Sequence, residues 1–169
     1  GEKAYIPLAG PANKQGRIVG DNLCGKKTAY KGSQGTSVMK FFDMTVAVTG
    51  EKEESLKAQG RPYRKAITTS ASQAGYYPGG DMMTIKTLFD PETAVILGAQ
   101  IVGYEGVDKR IDVLATAIRA KMTAVELKDL DLAYAPPYSS AKDPVNMAGF
   151  MIDNIANGTL KKWHLAGLE

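Results

Sequence analysis

Met83–Tyr104 reads Met-Thr-Ile-Lys-Thr-Leu-Phe-Asp-Pro-Glu-Thr-Ala-Val-Ile-Leu-Gly-Ala-Gln-Ile-Val-Gly-Tyr, and its pattern sets the fold class. Met83, Ile85, Thr87 and Phe89 alternate with Thr84, Lys86 and Leu88, the period of two of a half-buried strand. Asp90-Pro91-Glu92-Thr93 turns the chain into a near-continuous apolar strand over Val95–Tyr104. Upstream, Tyr63–Ser72 is rich in β-branched and small polar residues and reads as a strand, joined to Met83 through the turn signal Pro78-Gly79-Gly80. Three strands with two short connections make an antiparallel meander.

Working outward toward the N-terminus, Val38–Val48 reads as one strand, with Met44, Val46 and Val48 alternating with Thr45, Ala47 and Thr49. Glu51–Gln59 is charged and helix-favouring and stops at Gly60. Lys26–Thr36 reads as a loop. Leu8–Leu23 reads as a helix with Leu8, Ala12, Val19 and Leu23 on one face, Pro11 in the first turn and Gly25 as the stop. Gly16 and Gly20 leave a groove on it, for which plain packing is the simpler reading.

Helices close the chain. Val107, Ile111, Leu114, Ile118 and Met122 form an amphipathic stripe, and Thr123-Ala124-Val125-Glu126 matches a capping box. Asp143-Pro144 suits the start of a last helix, with Val145, Ala148, Ile152 and Ile155 inward and Asn157-Gly158 at its end. The order implies an α+β fold: an antiparallel β-sheet with helices segregated to one side.

Composition bounds the function. The chain has 169 residues, 44% hydrophobic and 23% charged, with a net charge of +3. That balance is too mild to imply nucleic acid or an anionic membrane as partner. Residues 1–40 carry seven basic and two acidic side chains, a step that hints at a different neighbour for the first stretch. One cysteine, Cys24, and one histidine, His164, leave no His- or Cys-based metal site. No apolar run reaches the roughly 20 residues of a membrane span. The chain starts Gly1-Glu2-Lys3 without an export signal, so it reads as a cytosolic (cytoplasmic) piece cut from a longer protein, with Leu168-Glu169 readable as a cloning remnant.

Several signals look chemical and fail. Gly20–Thr28 nearly spells a phosphate-binding loop, but Lys27 stands where the hydroxyl must follow Lys26, and the motif lies at a helix end. Asn157-Gly158-Thr159 is a glycosylation triplet without an export signal to use it. Cys24, near a helix C-terminus, reads as a buried or inert thiol. His164 reads as a surface or tail residue. What remains is a concentration of phenols at bends: Tyr76-Tyr77-Pro78-Gly79 and Tyr134-Ala135-Pro136-Pro137-Tyr138-Ser139-Ser140. Packing at strand ends is one reading. The other is hydroxyls presented to a site, each protonated near neutral pH and able to donate and accept.

At these residues the chain resembles a known family. The two tyrosine runs, the second extended over Ala133–Asn146, together with Gly103–Leu114, resemble the C-terminal dimerisation domain of flavin-dependent pyridine nucleotide–disulfide oxidoreductases, in the coenzyme A disulfide reductase / NADH oxidase group. Pro7–Arg17 resembles the last helix of that family's FAD domain. The resemblance implies three parts: residues 1–30 as the tail of the FAD-binding domain, 31–158 as the dimerisation domain, and 159–169 as a linker or tail. Lys161-Lys162-Trp163-His164 resembles the start of a linker to a rhodanese-like domain.

The resemblance also implies roles. Leu8 and Ala9 would offer backbone N–H groups to the flavin, since a helix N-terminus favours negative charge. Tyr76 and Tyr134 would reach the redox cysteine of the partner subunit and act as general acids in place of histidine, with Tyr77 and Tyr138 as neighbouring candidates. Lys109, Arg110 and Lys142 would meet coenzyme A phosphates, or else pair with Asp108, Asp112 or Asp143 as structural ion pairs. The parent would be a homodimer using FAD and NAD(P)H to reduce coenzyme A disulfide or another small disulfide. The fragment alone would retain no cofactor and be inactive. Alternatives are an NADH oxidase or peroxidase of the same fold, or a stand-alone dimerisation module without a redox role. The family's FAD glycine motif, redox cysteine and nicotinamide domain do not occur in this chain, and Cys24 does not match the redox position.

Overall fold

The computed structural model describes residues 5–161. Among them the elements run α1 (Ala9–Leu23), β1 (Ser37–Phe41), β2 (Met44–Gly50), α2 (Glu53–Ala58), β3 (Arg64–Ala71), β4 (Met82–Phe89), β5 (Ile96–Gly103), α3 (Val107–Ala120), α4 (Ala124–Lys128) and α5 (Pro144–Ala156). The strands form one antiparallel sheet in the order β1-β2-β5-β4-β3. The meander expected from Tyr63–Tyr104 is its centre and one edge, with Ile85 opposite both Thr68 and Ile101.

The stretch Val38–Val48 corrects the expectation of one strand. It is a hairpin, with Phe41 opposite Met44 and only Phe42-Asp43 between them. Phe42 takes the turn at φ 52°, a left-handed conformation that a bulky residue rarely adopts. No glycine or asparagine marks this turn, so period two runs through it unbroken. β2 then pairs with the free side of β5, Thr45 opposite Gly103, and the hairpin completes the sheet.

One sheet face is closed by α3, α4 and α5. Met83, Ile85, Phe89, Ala99 and Ile101 of the strands meet Val107, Ile111 and Leu114 of α3 and Val145, Ala148 and Ile152 of α5 in a single buried core. The capping box forms: the Thr123 amide donates to Glu126 at 2.7 Å, and the Glu126 amide to Thr123 Oγ1 at 3.4 Å. Asp143 caps α5 by accepting from the Val145 amide at 2.9 Å, ahead of Pro144 at the first helical position. Because strand side chains alternate, Leu88 faces away from that core. There Leu56 of α2 packs on Leu88 and Leu97, beside Tyr63.

α1 forms where the spacing places it, but its apolar face has no partner among the described residues. None of its residues is buried, and Leu23 is 84% exposed. A Cβ built on Gly16 or Gly20 would meet no atom of another element within 4 Å, so the groove is not packed here. Cys24 is exposed, which corrects the burial half of the expectation of a buried or inert thiol: it caps a helix that itself buries nothing. Trp163 and His164 lie outside the described residues, as does all of the linker motif but Lys161.

Candidate functional site

Tyr76 lies in the loop between β3 and β4, and Tyr134 in the loop between α4 and α5. Each loop is fixed locally. In the first, the Ser72 amide donates to Asp81 O at 2.7 Å and the Asp81 amide returns to Ser72 Oγ at 3.1 Å. Within it, Gln73 Nε2 donates to Pro78 O at 2.7 Å and to Tyr77 O at 3.3 Å. In the second, the Tyr138 amide donates to Ala135 O at 2.9 Å, closing a turn with Pro136 and Pro137 at its centre. The Ala74 amide donates to Pro136 O at 3.3 Å and ties the loops together.

The two phenols meet. Tyr76 and Tyr134 are 58 residues apart in sequence, and their hydroxyl oxygens are 3.1 Å apart, a hydrogen-bond distance. Both rings remain accessible, 77% and 48% exposed. The hydrogen bond with Tyr76, together with partial burial and the neighbouring phenol's charge, raises the pKa of Tyr134 above the usual phenol value, so it stays protonated further into alkaline pH. Only one of the two O–H groups is consumed by the contact. The other is available to an outside acceptor.

Beside the pair is a cleft of about 830 Å³, lined among others by Tyr134, Tyr138, Lys109, Glu105 and Asp81. Of the remaining candidates, Tyr77 is half exposed and does not line the cleft. Lys142 does not line it either: its ammonium lies 6.0 Å from the centre of the Phe150 ring.

Arg110 borders the cleft but is only 1% exposed. Its guanidinium is engaged with Asp143, Nη2 at 2.9 Å and Nε at 3.2 Å from Oδ2, the structural pairing left open by the sequence. It also donates to Ser72 O at 2.8 Å, Tyr138 O at 3.2 Å, Ser139 Oγ at 3.3 Å and Gly106 O at 3.2 Å. Ser139 Oγ donates in turn to Asp143 at 2.6 Å. Burial alone would raise the Asp143 pKa, but hydrogen bonds from Arg110, Ser139 and the Val145 amide outweigh it and hold the carboxyl below the usual range. Sequence reading gave Ser139 and Ser72 no role. Ser139 is four residues from Asp143, but no local pattern brings Ser72 to either.

Leu8 and Ala9 sit apart from this cluster. Leu8 takes the N-cap position of α1 without a side-chain cap, and no acidic residue stands in the first turn. Its leading N–H groups are thus suited to an anionic or carbonyl acceptor. A second cleft of about 1050 Å³ runs along α1 past Lys14, Arg17, Lys31 and Arg119, and shares no lining residue with the first. Among the described residues no group of three or more His, Cys, Asp or Glu could hold a metal ion, and no helix is long and apolar enough to cross a membrane.

An antiparallel five-stranded sheet closed on one face by helices is the fold of a reductase dimerisation domain. Residues 36–145 match the pyridine nucleotide-disulphide oxidoreductase dimerisation domain, and the chain belongs to that family. It is 42% identical over 148 residues to a coenzyme A disulfide reductase of Staphylococcus haemolyticus, covering 87% of this chain and 33% of that protein. The crystal structure of reduced Bacillus anthracis CoADR-RHD superposes with a TM-score of 0.93 at 50% identity, covering 96% of this chain and 29% of that one. A NAD-dependent persulfide reductase from A. fulgidus gives a TM-score of 0.95 at 40% identity, covering 100% and 32%. The chain therefore spans about a third of the length of the relatives it matches.

Proposed function

We propose that this chain is the C-terminal part of a homodimeric, FAD-dependent NAD(P)H:disulfide oxidoreductase of the coenzyme A disulfide reductase type. Its share of the work is the dimer contact and a pair of phenols lent to the partner subunit's redox cysteine. The observation that carries this reading is the Tyr76–Tyr134 contact at 3.1 Å, accessible on both rings. Cleaving a disulfide with one hydride and one proton gives two thiols, and the first sulfur to leave departs as a thiolate. A neutral phenol whose O–H is not consumed within the pair can donate to that sulfur, while its neighbour fixes its direction. Arg110 and Asp143 are paired with each other, which leaves Lys109 as the positive group at the cleft for a phosphate-bearing thiol such as coenzyme A. Tyr138, which also lines the cleft, is a secondary contact for that substrate, whereas Tyr77 and Lys142 lie off it.

Bound flavin supplies hydride acceptance and electron transfer to the cysteine. The uncapped start of α1 at Leu8 and Ala9 fits a ring carbonyl that gains negative charge on reduction. In this division residues 1–30 belong with the FAD domain and 31–158 with the dimerisation domain. Full coverage of α1's bare apolar face would then come from the FAD domain.

The test is Tyr76→Phe with Tyr134→Phe in the full-length reductase. Disulfide turnover falls by about 10²–10⁴-fold, the usual worth of a positioned proton donor, while flavin reduction by NAD(P)H keeps its rate. Undiminished turnover removes the tyrosine assignment.

A further inference from the structure

We propose that Arg110 is the positioning residue of the tyrosine pair: one buried guanidinium clamps the two loops that carry Tyr76 and Tyr134 and so sets the contact between their hydroxyls. The proposal rests on the trans-tyrosine reading above and goes beyond it by naming what holds the pair.

Two loops distant in sequence can bring a pair of exposed hydroxyls to 3.1 Å reproducibly only if their backbones are fixed to a common point. Direct backbone contact between them is thin, a single long bond from the Ala74 amide to Pro136 O. Arg110 supplies the common point. Nη2 donates to Ser72 O, four residues before Tyr76, and to Tyr138 O, four residues after Tyr134. Both acceptors are backbone carbonyls, so the bonds constrain the path of the chain rather than a mobile side chain. The guanidinium itself cannot drift. It projects from the first turn of α3, whose Gly106 O accepts from Nη1, and it is paired with Asp143, which is in turn fixed as the cap of α5. Two core helices thus hold the clamp and the clamp holds the loops.

Stability alone is a poor reason for such a device. A buried ion pair repays its desolvation only in part, and apolar residues of similar volume often serve a core as well or better. Planar, multidentate donation is what Arg offers and Lys does not. A lysine in place of Arg110 would keep the charge opposite Asp143, but its single nitrogen with three protons could not hold Asp143, Gly106 O and both loop carbonyls at once, as Nε, Nη1 and Nη2 do together.

The experiment uses the flavin-loaded full-length reductase with coenzyme A disulfide as probe, and the variant Arg110→Lys. Misplacing a catalytic group by about 1 Å costs on the order of 10²-fold, so kcat falls on that scale with KM little changed and flavin reduction by NAD(P)H at its wild-type rate. In the Tyr76→Phe/Tyr134→Phe background the same substitution costs nothing further. With ring-labelled tyrosine, the nuclear Overhauser contact between the Tyr76 and Tyr134 rings is lost in R110K. Arg110→Met with Asp143→Leu, which removes both charges and leaves no lone buried ion, gives the same kinetic pattern should R110K fail to fold. Wild-type kcat in R110K, an intact ring contact, or a loss that persists in full in the double-Phe background overturns the clamp. The tyrosine reading fails separately, if the double-Phe variant alone turns over normally.

Discussion

Glu53 shows how much one side chain can anchor. Its carboxylate takes Lys86 Nζ at 2.5 Å, Tyr63 Oη at 2.9 Å and Lys65 Nζ at 3.1 Å, with Lys57 Nζ at 3.7 Å. The Lys86 contact does most to pull its pKa down to about 2, against the opposing effect of burial, with Tyr63 and Lys65 adding to it. A carboxyl with a depressed folded-state pKa stabilises above its unfolded value, 4.5, and that contribution is lost as pH falls from there through about 2. Glu53→Gln therefore lowers the urea-unfolding free energy at pH 7 by about 1.5–3 kcal/mol, the range for hydrogen bonds to a charged group. The gap between variant and wild type narrows as the pH is brought toward 2. A constant gap between pH 7 and pH 3 would show that the charge contributes nothing. The sequence marked Glu51–Gln59 only as a charged helix, since Lys65 and Lys86 reach Glu53 through strand pairing and not through helical spacing.

Where an element's ends are written in local chemistry, the sequence was a good guide. Thr123–Glu126 and Asp143-Pro144 start α4 and α5 as their residue types require. Packing between elements was not so visible. A Cβ built on Gly149 of α5 would lie 2.6 Å from the Lys128 amide nitrogen at the end of α4, closer than real contacts allow. Gly149→Ala, which would stabilise an open helix by roughly 0.5–1 kcal/mol, instead costs about 1–3 kcal/mol here because backbone must move. For a chain of this size the melting temperature drops by several degrees, since each kcal/mol is worth roughly 2–4 °C. Gly16→Ala in α1, facing open space, does not lower it; equal effects at the two sites would refute the close α4–α5 contact.

At the scale of the molecule, the sheet is covered by helices on one face and only at one end, by α2, on the other. Along the remainder, the row Thr69-Thr84-Val102-Val46-Met39 crosses all five strands on the side facing away from the core. Val102 and Met39 in that row, with Ile67 and Phe41 of the same face, stay exposed. An apolar sheet face left open in this way marks a surface suited to a protein partner. Static light scattering of the chain should give twice the chain mass. A strict monomer at high concentration would count against residues 31–158 as the dimer interface.

The amino-acid pattern by itself determined the α+β class, the central meander, the closing helices and the paired tyrosine motifs. Each depends on information within a dozen residues: alternation, helical spacing, caps and prolines. It misread the Phe42 turn, where no residue signals a left-handed bend, and the thiol of Cys24, whose burial depends on what its helix packs against. Only the tertiary structure decided that Tyr76 and Tyr134 share a hydrogen bond and that Arg110 turns inward to Asp143 and to both loops. Those contacts join residues 28 to 58 positions apart, and their geometry follows from sheet order and helix packing, which no local pattern encodes.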